Sequence, residues 1–345
     1  MEPAARRQNI LAAIVESYIA TGEPVGSKSL ISETGMNVSS ATVRNDMVEL
    51  TNRGYIVQPH TSAGRIPTAQ GYRYYVDNVM QVKPISGQGR QYILEELQKD
   101  GDSPESILKG AADLLSKLSG YAAVATTPGG ENSRIRHLRF IQTGAHSAMA
   151  VLIASNGTIK TKLFRCEFLI NPELMGIFDK AFNEIFTGVK LSSVNRPFIQ
   201  TAAVRFGEMS LLMPSALMAV QDAAEQATTV SVYQSGRGKL AFSEDADFRS
   251  ARRIIEFLNS PHDLAATLEK SPQHTAALIG RENSRVELAN YSLLSARYKI
   301  DGSPSGVTAL ITPLRTDYAR NFALLECVAD CAGELIDELT DIKRE

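Results

Sequence analysis

SSATVRNDMVELTNRGYIVQPHTSAGRIPT, residues 39–68, is the stretch that decides the fold. Ser39 suits the N-cap of a helix, and that helix ends at Gly54, because glycine favours helix termination. The apolar residues that share one side of this helix are Val43, Met47 and Leu50. Two short segments with strand composition then flank a loop of small residues. The stretch therefore predicts a helix followed by a β-hairpin.

Two amphipathic segments precede this helix. Residues 6–20 place apolar side chains at helical spacing, and "TGEPVG" at 21–26 ends that segment. Residues 27–34 form a shorter segment of the same kind. Three helices followed by a hairpin predict a winged helix-turn-helix over residues 1–83. The alternative is a small α+β unit whose hairpin only covers its core.

The predicted helix at 39–54 carries an unusual polar set on its outward side. The candidate DNA-binding residues on this helix are Ser40, Thr42, Arg44 and Asn45. Arginine pairs with guanine through two hydrogen bonds, asparagine does so with adenine, and threonine meets a thymine methyl or a phosphate. These residue types favour a major-groove contact. A simple solvated face is the alternative interpretation.

The loop of the predicted hairpin supplies a second group of candidate contacts. It carries His60, Thr61, Ser62, Gly64 and Arg65. Hydroxyl groups, a backbone freed by glycine and one arginine suit contacts to phosphates or insertion into a minor groove. His60 and Arg65 are therefore candidate DNA-binding residues. Alternatively, His60 holds the loop together through a hydrogen bond.

The remainder of the chain predicts an α+β domain with an insertion. After a linker at 84–103, residues 104–170 contain a helix and then strand-like segments that predict an antiparallel meander. Residues 271–345 repeat this style before a long final helix. The stretch between them, 171–270, is mainly helical, and its first two segments are rich in Leu, Met, Ile and Phe. We interpret it as an inserted dimerisation region, with plain core as the alternative.

Composition limits the classes of function. The chain has 345 residues, of which 43% are hydrophobic, and this suits a globular protein of several domains. Its longest apolar runs are far shorter than the roughly 20 residues that span a bilayer, and the N-terminus does not have the pattern of a signal peptide. The three cysteines are too few for a disulfide framework, which predicts a cytoplasmic protein. The formal charge of -2 argues against a protein that coats nucleic acid along its whole length.

The sequence lacks the familiar motifs of catalysis. "GRGK" at 236–239 lacks the other residues of a phosphate-binding P-loop, and no nucleophile elbow or closely spaced set of histidines occurs. Cys327 and Cys331, four residues apart, favour core packing over a ligand role. We therefore predict no catalytic residues, no cofactor and no metal. An enzyme with an N-terminal nucleic-acid-binding module is the alternative hypothesis.

Four segments carry a family resemblance. They are "TGEPVGSKSL", "SSATVRNDMVEL", "GYIVQPHTSAGRIPTAQGYRYYVD" and "TPLRTDYAR", and together they resemble the HrcA family of bacterial heat-inducible transcription repressors. The resemblance implies an N-terminal winged helix, a GAF-like domain and a dimerising domain inserted into the latter.

The same resemblance implies a function and partners. It implies a homodimer that binds double-stranded DNA at an inverted-repeat operator, the CIRCE element of chaperone operons, and that is relieved on heat stress. It also implies a GroEL-type chaperonin as modulator. The short apolar runs, by themselves, predict no membrane partner. A ligand-sensing winged-helix transcription factor that uses a GAF-like pocket is the alternative.

Overall fold

The computed structural model describes residues 2–35, 38–61, 63–130, 133–242, 248–272 and 274–340. The first part of the chain forms a small unit of helices and one hairpin. Its elements are α1 (Pro3–Thr21), α2 (Ser27–Thr34), α3 (Ser40–Asn52), β1 (Ile56–Val57), β2 (Ile66–Pro67) and α4 (Ala69–Asn78). The three helices and the hairpin follow one another in the order that the sequence predicts for residues 1–83, and α4 comes after them. We call these six elements the N-terminal unit.

Apolar burial and one ion pair hold α1 and α3 together. The buried side chains of the two helices that pack on one another are Ile10, Leu11, Ile14, Val15, Val43, Met47 and Leu50. Asp46 on α3 is only 6% exposed, and its carboxylate accepts a hydrogen bond from Arg6 Nε on α1 at 2.6 Å. A buried carboxylate needs such a partner, because burial without one is costly. The hydrogen bond also raises the pKa of Arg6.

The hairpin lies against the connection between α1 and α2. Val25 and Arg65 exchange two backbone hydrogen bonds of 2.9 Å. The neighbouring Gly64 leaves room for this contact, since a Cβ atom there would lie 2.5 Å from the carbonyl carbon of Val25. Thr68 ties the hairpin to the end of α3, because its hydroxyl donates a 2.6 Å hydrogen bond to the Gly54 carbonyl. The hairpin is therefore fixed relative to α3.

The rest of the chain builds two sheets. The helices and strands that follow are α5 (Gly87–Gln98), α6 (Pro104–Ser119), β3 (Ala122–Thr126), β4 (Ile135–Gln142), β5 (Ser147–Ala154), β6 (Ile159–Arg165), α7 (Pro172–Phe186), α8 (Arg196–Arg205), α9 (Pro214–Thr228), β7 (Val232–Ser235), α10 (Phe248–Leu258), α11 (Pro261–Leu268), β8 (Ala276–Ile279), β9 (Tyr291–Ile300), β10 (Ser303–Pro313) and α12 (Tyr318–Thr340). The elements are those of an α+β fold.

The larger sheet has five antiparallel strands in the order β7-β3-β10-β9-β8. Helices α6 and α12 cover one face, and α10 and α11 cover the other. Residues 84–103, predicted as a linker, instead contain α5. Its buried Ile93 and Leu97 form an apolar stripe that packs on α6 and α12.

The smaller sheet consists of β4, β5 and β6 and lies between β3 and β7 in the chain. Helices α7 and α9 pack on one of its faces. The phenylalanines of this core are Phe140, Phe164, Phe178, Phe182, Phe186 and Phe206. We call β4–β6 with α7–α9 the inserted unit.

Two boundaries of the insertion therefore differ from the prediction. The meander predicted within 104–170 is wrong for its first strand, because β3 pairs with β10 and β7 while β4–β6 form their own sheet. Helices α10 and α11, predicted within the insert at 171–270, pack on the larger sheet instead. The insert contains three strands and is less purely helical than predicted.

None of the described helices combines the length and apolar character that crossing a membrane requires.

Candidate nucleic-acid interface

Arg44 and Asn45 lie next to each other on the exposed face of α3. Neither side chain makes a hydrogen bond or an ion pair with another residue in the described part of the chain. Ala41 is exposed beside them, and Val48 is 46% exposed one turn further along. This face thus presents one guanidinium, one amide and two apolar side chains to the outside, and the exposure of Arg44 and Asn45 is what the sequence predicts.

The hydroxyls of Ser40 and Thr42 are engaged at the start of α3. Ser40 Oγ lies 3.3 Å from Ser27 Oγ, which joins α3 to α2. Thr42 Oγ1 lies 2.9 Å from Ser39 Oγ, and Ser39 also accepts a 3.1 Å hydrogen bond from the Thr42 backbone N–H. Both side chains therefore orient the first turn of α3. A phosphate near this turn would also meet backbone N–H groups at the helix N-terminus.

The loop of the hairpin is held together by Gln58, which the sequence analysis missed. Its Nε2 donates to the carbonyls of Thr61 and Ala63, each at 3.0 Å. The side chain of His60 is exposed, so the structure places the loop-closing hydrogen bonds on glutamine and leaves the imidazole at the surface. Ser62 lies outside the described residues. Nothing local marks Gln58 as special, because only the folded loop brings these carbonyls to its amide.

Arg65 lies at the base of the hairpin and is half-buried. Its Nε donates a 3.3 Å hydrogen bond to Thr51 Oγ1, and Thr51 in turn donates to the Met47 carbonyl at 2.8 Å. One edge of the guanidinium is therefore used to brace α3 against the hairpin. Arg65 thus combines a charge near the surface with a structural contact that its position in the sequence does not reveal.

Comparison with known proteins decides the family. The family model described as the HrcA protein C-terminal domain matches residues 105–321. The heat-inducible transcription repressor HrcA of Syntrophobacter fumaroxidans is 32% identical over 338 residues, which cover 96% of this chain and 97% of that protein. The chain belongs to the HrcA family. The resemblance that four short segments carry in the sequence is thereby confirmed.

Other HrcA proteins match over a similar length. The heat-inducible transcription repressor HrcA of Acetivibrio thermocellus is 28% identical and covers 97% of this chain and 96% of its own. That of Xanthomonas euvesicatoria is 29% identical, with 98% and 96% covered. These relatives are named as transcription repressors, which agrees with the prediction that the chain is not an enzyme.

A solved structure shares the fold. The crystal structure of a hypothetical protein superposes with a TM-score of 0.61 at 23% sequence identity, and it covers 97% of this chain and 98% of its own. The arrangement of the two sheets and the N-terminal unit therefore has a counterpart among experimental structures.

The two neighbouring cysteines of this HrcA chain lie in the core. Cys327 and Cys331 on α12 are 9% and 0% exposed and belong to the apolar cluster beneath α5. A hydrogen bond between the two thiols lowers the pKa of Cys327 and raises that of Cys331. Within the described residues, no group of three or more His, Cys, Asp or Glu side chains is placed to hold a metal ion. The burial favours the core-packing interpretation.

A cleft of about 570 Å³ lies between the β9–β10 turn and the loop that follows β3. Arg297 is the cation in its lining, but its guanidinium donates to the carbonyls of Glu269, Ser271 and Ser305 at 2.7–3.3 Å. Arg297 on β9 therefore fastens the segment after α11 to the start of β10. The other face of the larger sheet, beneath α10 and α11, is packed with buried apolar side chains. Neither arrangement favours the ligand-sensing alternative over DNA binding.

Proposed function

We propose that this HrcA-family protein is a homodimeric repressor of heat-shock operon transcription. It binds an inverted-repeat CIRCE operator in double-stranded DNA and is relieved on heat stress. The observation that carries the proposal is the exposed pair Arg44 and Asn45 on α3, whose polar groups have no partner among the described residues. Arginine and asparagine are the side chains that make bidentate contacts with guanine and adenine. The repressor name of the full-length relatives supports the same function.

The N-terminal unit acts in this proposal as a winged helix-turn-helix over residues 1–83. Helix α3 enters the major groove, and the hairpin is the wing that lies along the phosphates. The proposed DNA-binding residues are Ser40, Thr42, Arg44, Asn45, His60 and Arg65. Arg44 and Asn45 read bases, whereas the hydroxyls at the start of α3 and the two hairpin residues position the unit on the backbone.

An inverted repeat requires a two-fold partner, because one small domain makes too few base contacts for specificity in a genome. The larger sheet with its helices serves as a GAF-like domain, and the inserted unit makes the dimer contact. The face of β4–β6 opposite α7 and α9 supports this choice. Ile141, Met149 and Leu163 lie directly opposite one another on its three strands, and Leu163 is 70% exposed. We call this surface the open sheet face.

The occupant of the open sheet face is a second copy of this chain. A two-fold axis would stack one apolar row on its equivalent and remove both from water, which is favourable in proportion to the area buried. Stable dimers bury about 1,200–2,000 Å² in total. Leu169, in the segment that follows β6, is a further apolar residue with 72% exposure.

The setting of the repressor is the cytoplasm, where a GroEL-type chaperonin modulates its activity. Stress that occupies the chaperonin with unfolded chains would leave less active repressor and release the operator. This part rests on the family resemblance and on the few cysteines of the chain.

Fluorescence anisotropy with three labelled DNA duplexes tests the proposed function. The duplexes are the intact inverted repeat, one half-site and a scrambled sequence, all at one salt concentration because affinity for DNA depends on salt. We expect the intact repeat to bind at least about a thousandfold more tightly than the scrambled duplex. Chaperonin added to heated repressor should restore binding. Equal affinity for the intact and scrambled duplexes would contradict operator recognition.

A further inference from the structure

One arginine fastens the N-terminal unit to the edge of the larger sheet. Arg73 on α4 donates from Nη1 to the carbonyl of Ala277 on β8 at 2.7 Å, and the same atom lies 3.3 Å from the Glu282 carboxylate. Its Nη2 donates to Asp77 on its own helix at 2.8 Å. Glu282 also accepts a 2.8 Å hydrogen bond from the backbone N–H of Ile279. A single guanidinium thus joins α4, β8 and the turn after β8.

An aromatic contact lies beside this arginine. The rings of Tyr72 on α4 and Tyr318 on α12 have their centroids 5.6 Å apart. Tyr318 donates from its hydroxyl to the Leu314 carbonyl at 2.8 Å and lies 2.8 Å from Ser292 Oγ. Burial raises the pKa of the Tyr318 phenol, so it stays protonated as a donor. The position of α4 on the sheet is therefore defined by directional contacts as well as by apolar packing.

Helix α4 is also joined rigidly to the proposed DNA-binding surface. Thr68 caps α4 by accepting a hydrogen bond from the Gly71 N–H at 3.1 Å, while its hydroxyl donates to the carbonyl of Gly54 after α3. A side chain at Gly71 would collide with the Tyr55 carbonyl oxygen, so α4 lies directly on the start of the hairpin. Any rotation of α4 on the sheet therefore carries α3 with it.

We infer that Arg73 is a positioning residue for DNA binding that sets which spacing between half-sites the dimer accepts. By holding α4 on β8, it fixes the place of α3 relative to the larger sheet and hence relative to the second α3 of the dimer. Half-site spacing is a geometric consequence of that separation, since the two recognition elements must meet the same side of the duplex. The inference rests on the proposed dimeric binding to an inverted repeat.

Arginine suits this role because its planar fork makes several charge-assisted hydrogen bonds in one fixed geometry. Without the clamp, the unit remains held by apolar packing and by the chain after Asn78, and this less rigid attachment accepts a range of separations. Loss of the clamp therefore reduces the difference in binding free energy between operators with different half-site spacings. Affinity for a single half-site involves one α3 only and does not depend on the clamp.

The test uses the full-length dimer and a series of operator duplexes. The half-sites are moved apart or together by two base pairs, which shifts one of them by about 7 Å and turns it around the helix axis. The readout is the ratio of affinities for the natural and altered spacings, with half-site affinity measured in parallel. In Arg73→Ala we expect this ratio to fall about tenfold, the effect of losing a hydrogen bond to a charged group, with half-site affinity unchanged.

Two further variants sharpen the test. Glu282→Gln removes one charge of the clamp while keeping the side chain's size and its acceptor for Ile279, so we expect a smaller reduction of the ratio. Arg90→Ala is the matched control, because Arg90 pairs with Glu334 between α5 and α12, away from α4. It should leave the ratio at the value of the unaltered protein.

The outcomes separate the two proposals. An unchanged spacing ratio in folded Arg73→Ala overturns the inference, and so does a loss of half-site affinity equal to the loss on the full operator. Should Arg73→Ala fail to fold, Glu282→Gln decides by the same ratio. Failure of the unaltered protein to prefer any inverted repeat over scrambled DNA overturns the proposed function itself.

Discussion

The outward face of α3 and the open sheet face are both uncovered, but their chemistry is opposite. The helix presents Arg44 and Asn45, which water solvates well, whereas the sheet aligns Ile141, Met149 and Leu163. A polar face can stay in water at no cost, so only its residue types indicate a partner. Exposure of an apolar row to water costs free energy, which favours a protein partner that covers it. We therefore expect the helix to supply specificity and the sheet to supply assembly.

The largest expected effect comes from placing a charge on the open sheet face. Leu163→Glu should dissociate the proposed dimer, because assembly through this face would bury two unpaired carboxylates. We expect the dimer dissociation constant to rise by at least about a hundredfold, roughly 3 kcal/mol. Sedimentation equilibrium measures this constant, and affinity for the intact inverted repeat should fall with it.

Leu211→Glu is the matched control for this experiment. Leu211 is 85% exposed in the inserted unit but lies in the segment between α8 and α9, away from the strands of the open sheet face. Its substitution should leave the dimer intact. The reverse result, with Leu211→Glu monomeric and Leu163→Glu dimeric, would place the dimer contact on a different surface.

The next effect concerns discrimination between bases. Asn45→Ala should lower the preference for operator over scrambled DNA by about 1–3 kcal/mol, because a bidentate contact is lost. Binding to scrambled DNA should hardly change. Competition titrations measure the ratio, and Asn52→Ala, a change of the same residue type two turns further along α3, should have a smaller effect. A larger effect at Asn52 would mean that the other end of α3 enters the groove.

Arg65→Ala should act on all DNA sequences alike. Removing one phosphate contact reduces the slope of log K against log salt by about 1 and weakens operator and scrambled duplexes together. Arg65→Lys keeps the charge but loses the planar fork, so it should retain the salt slope while the hydrogen bond to Thr51 is weakened. Titrations at several salt concentrations distinguish the two variants. A selective loss on the operator alone would assign Arg65 to base contact.

The smallest effect is expected at Gln58. Gln58→Ala removes the two hydrogen bonds that close the hairpin loop, at a cost of about 1 kcal/mol in the free energy of unfolding. Amide hydrogen exchange should show faster exchange at Ala63 without a change on α3. Unchanged exchange in the loop would show that the rest of the hairpin holds it without Gln58.

The sequence was sufficient for elements that depend on near neighbours. The cap of α3 at Ser39 and the hairpin after Gly54 are each decided within a few residues, and the structure shows both. The contacts of Arg73 could not be predicted from its neighbours, because its partners Ala277 and Glu282 follow about two hundred positions later. The apolar stripe of α5 lies within the segment that the sequence predicts as a linker, and only its contacts with α6 and α12 show that it is buried.

The sorting of strands between the two sheets shows the same limit. Strand β3 is buried along its whole length, while β5 alternates between buried and partly exposed residues. This contrast separates a central strand covered on both faces from a sheet covered on one. The short apolar run of β3 indicates a strand that is buried on both faces. Its pairing with β10, however, joins segments about 180 residues apart.

Residue type and periodicity along the chain specified the first three helices, the hairpin, the polar face of α3 and the family resemblance. Tertiary packing alone decided that β4–β6 form their own sheet, that Gln58 closes the hairpin loop and that Arg73 joins α4 to β8. The physical reason is the range of the interactions. Caps, turns and helical stripes involve residues about four positions apart. Strand pairs and buried ion pairs form only when segments that are distant in the sequence meet in the folded core.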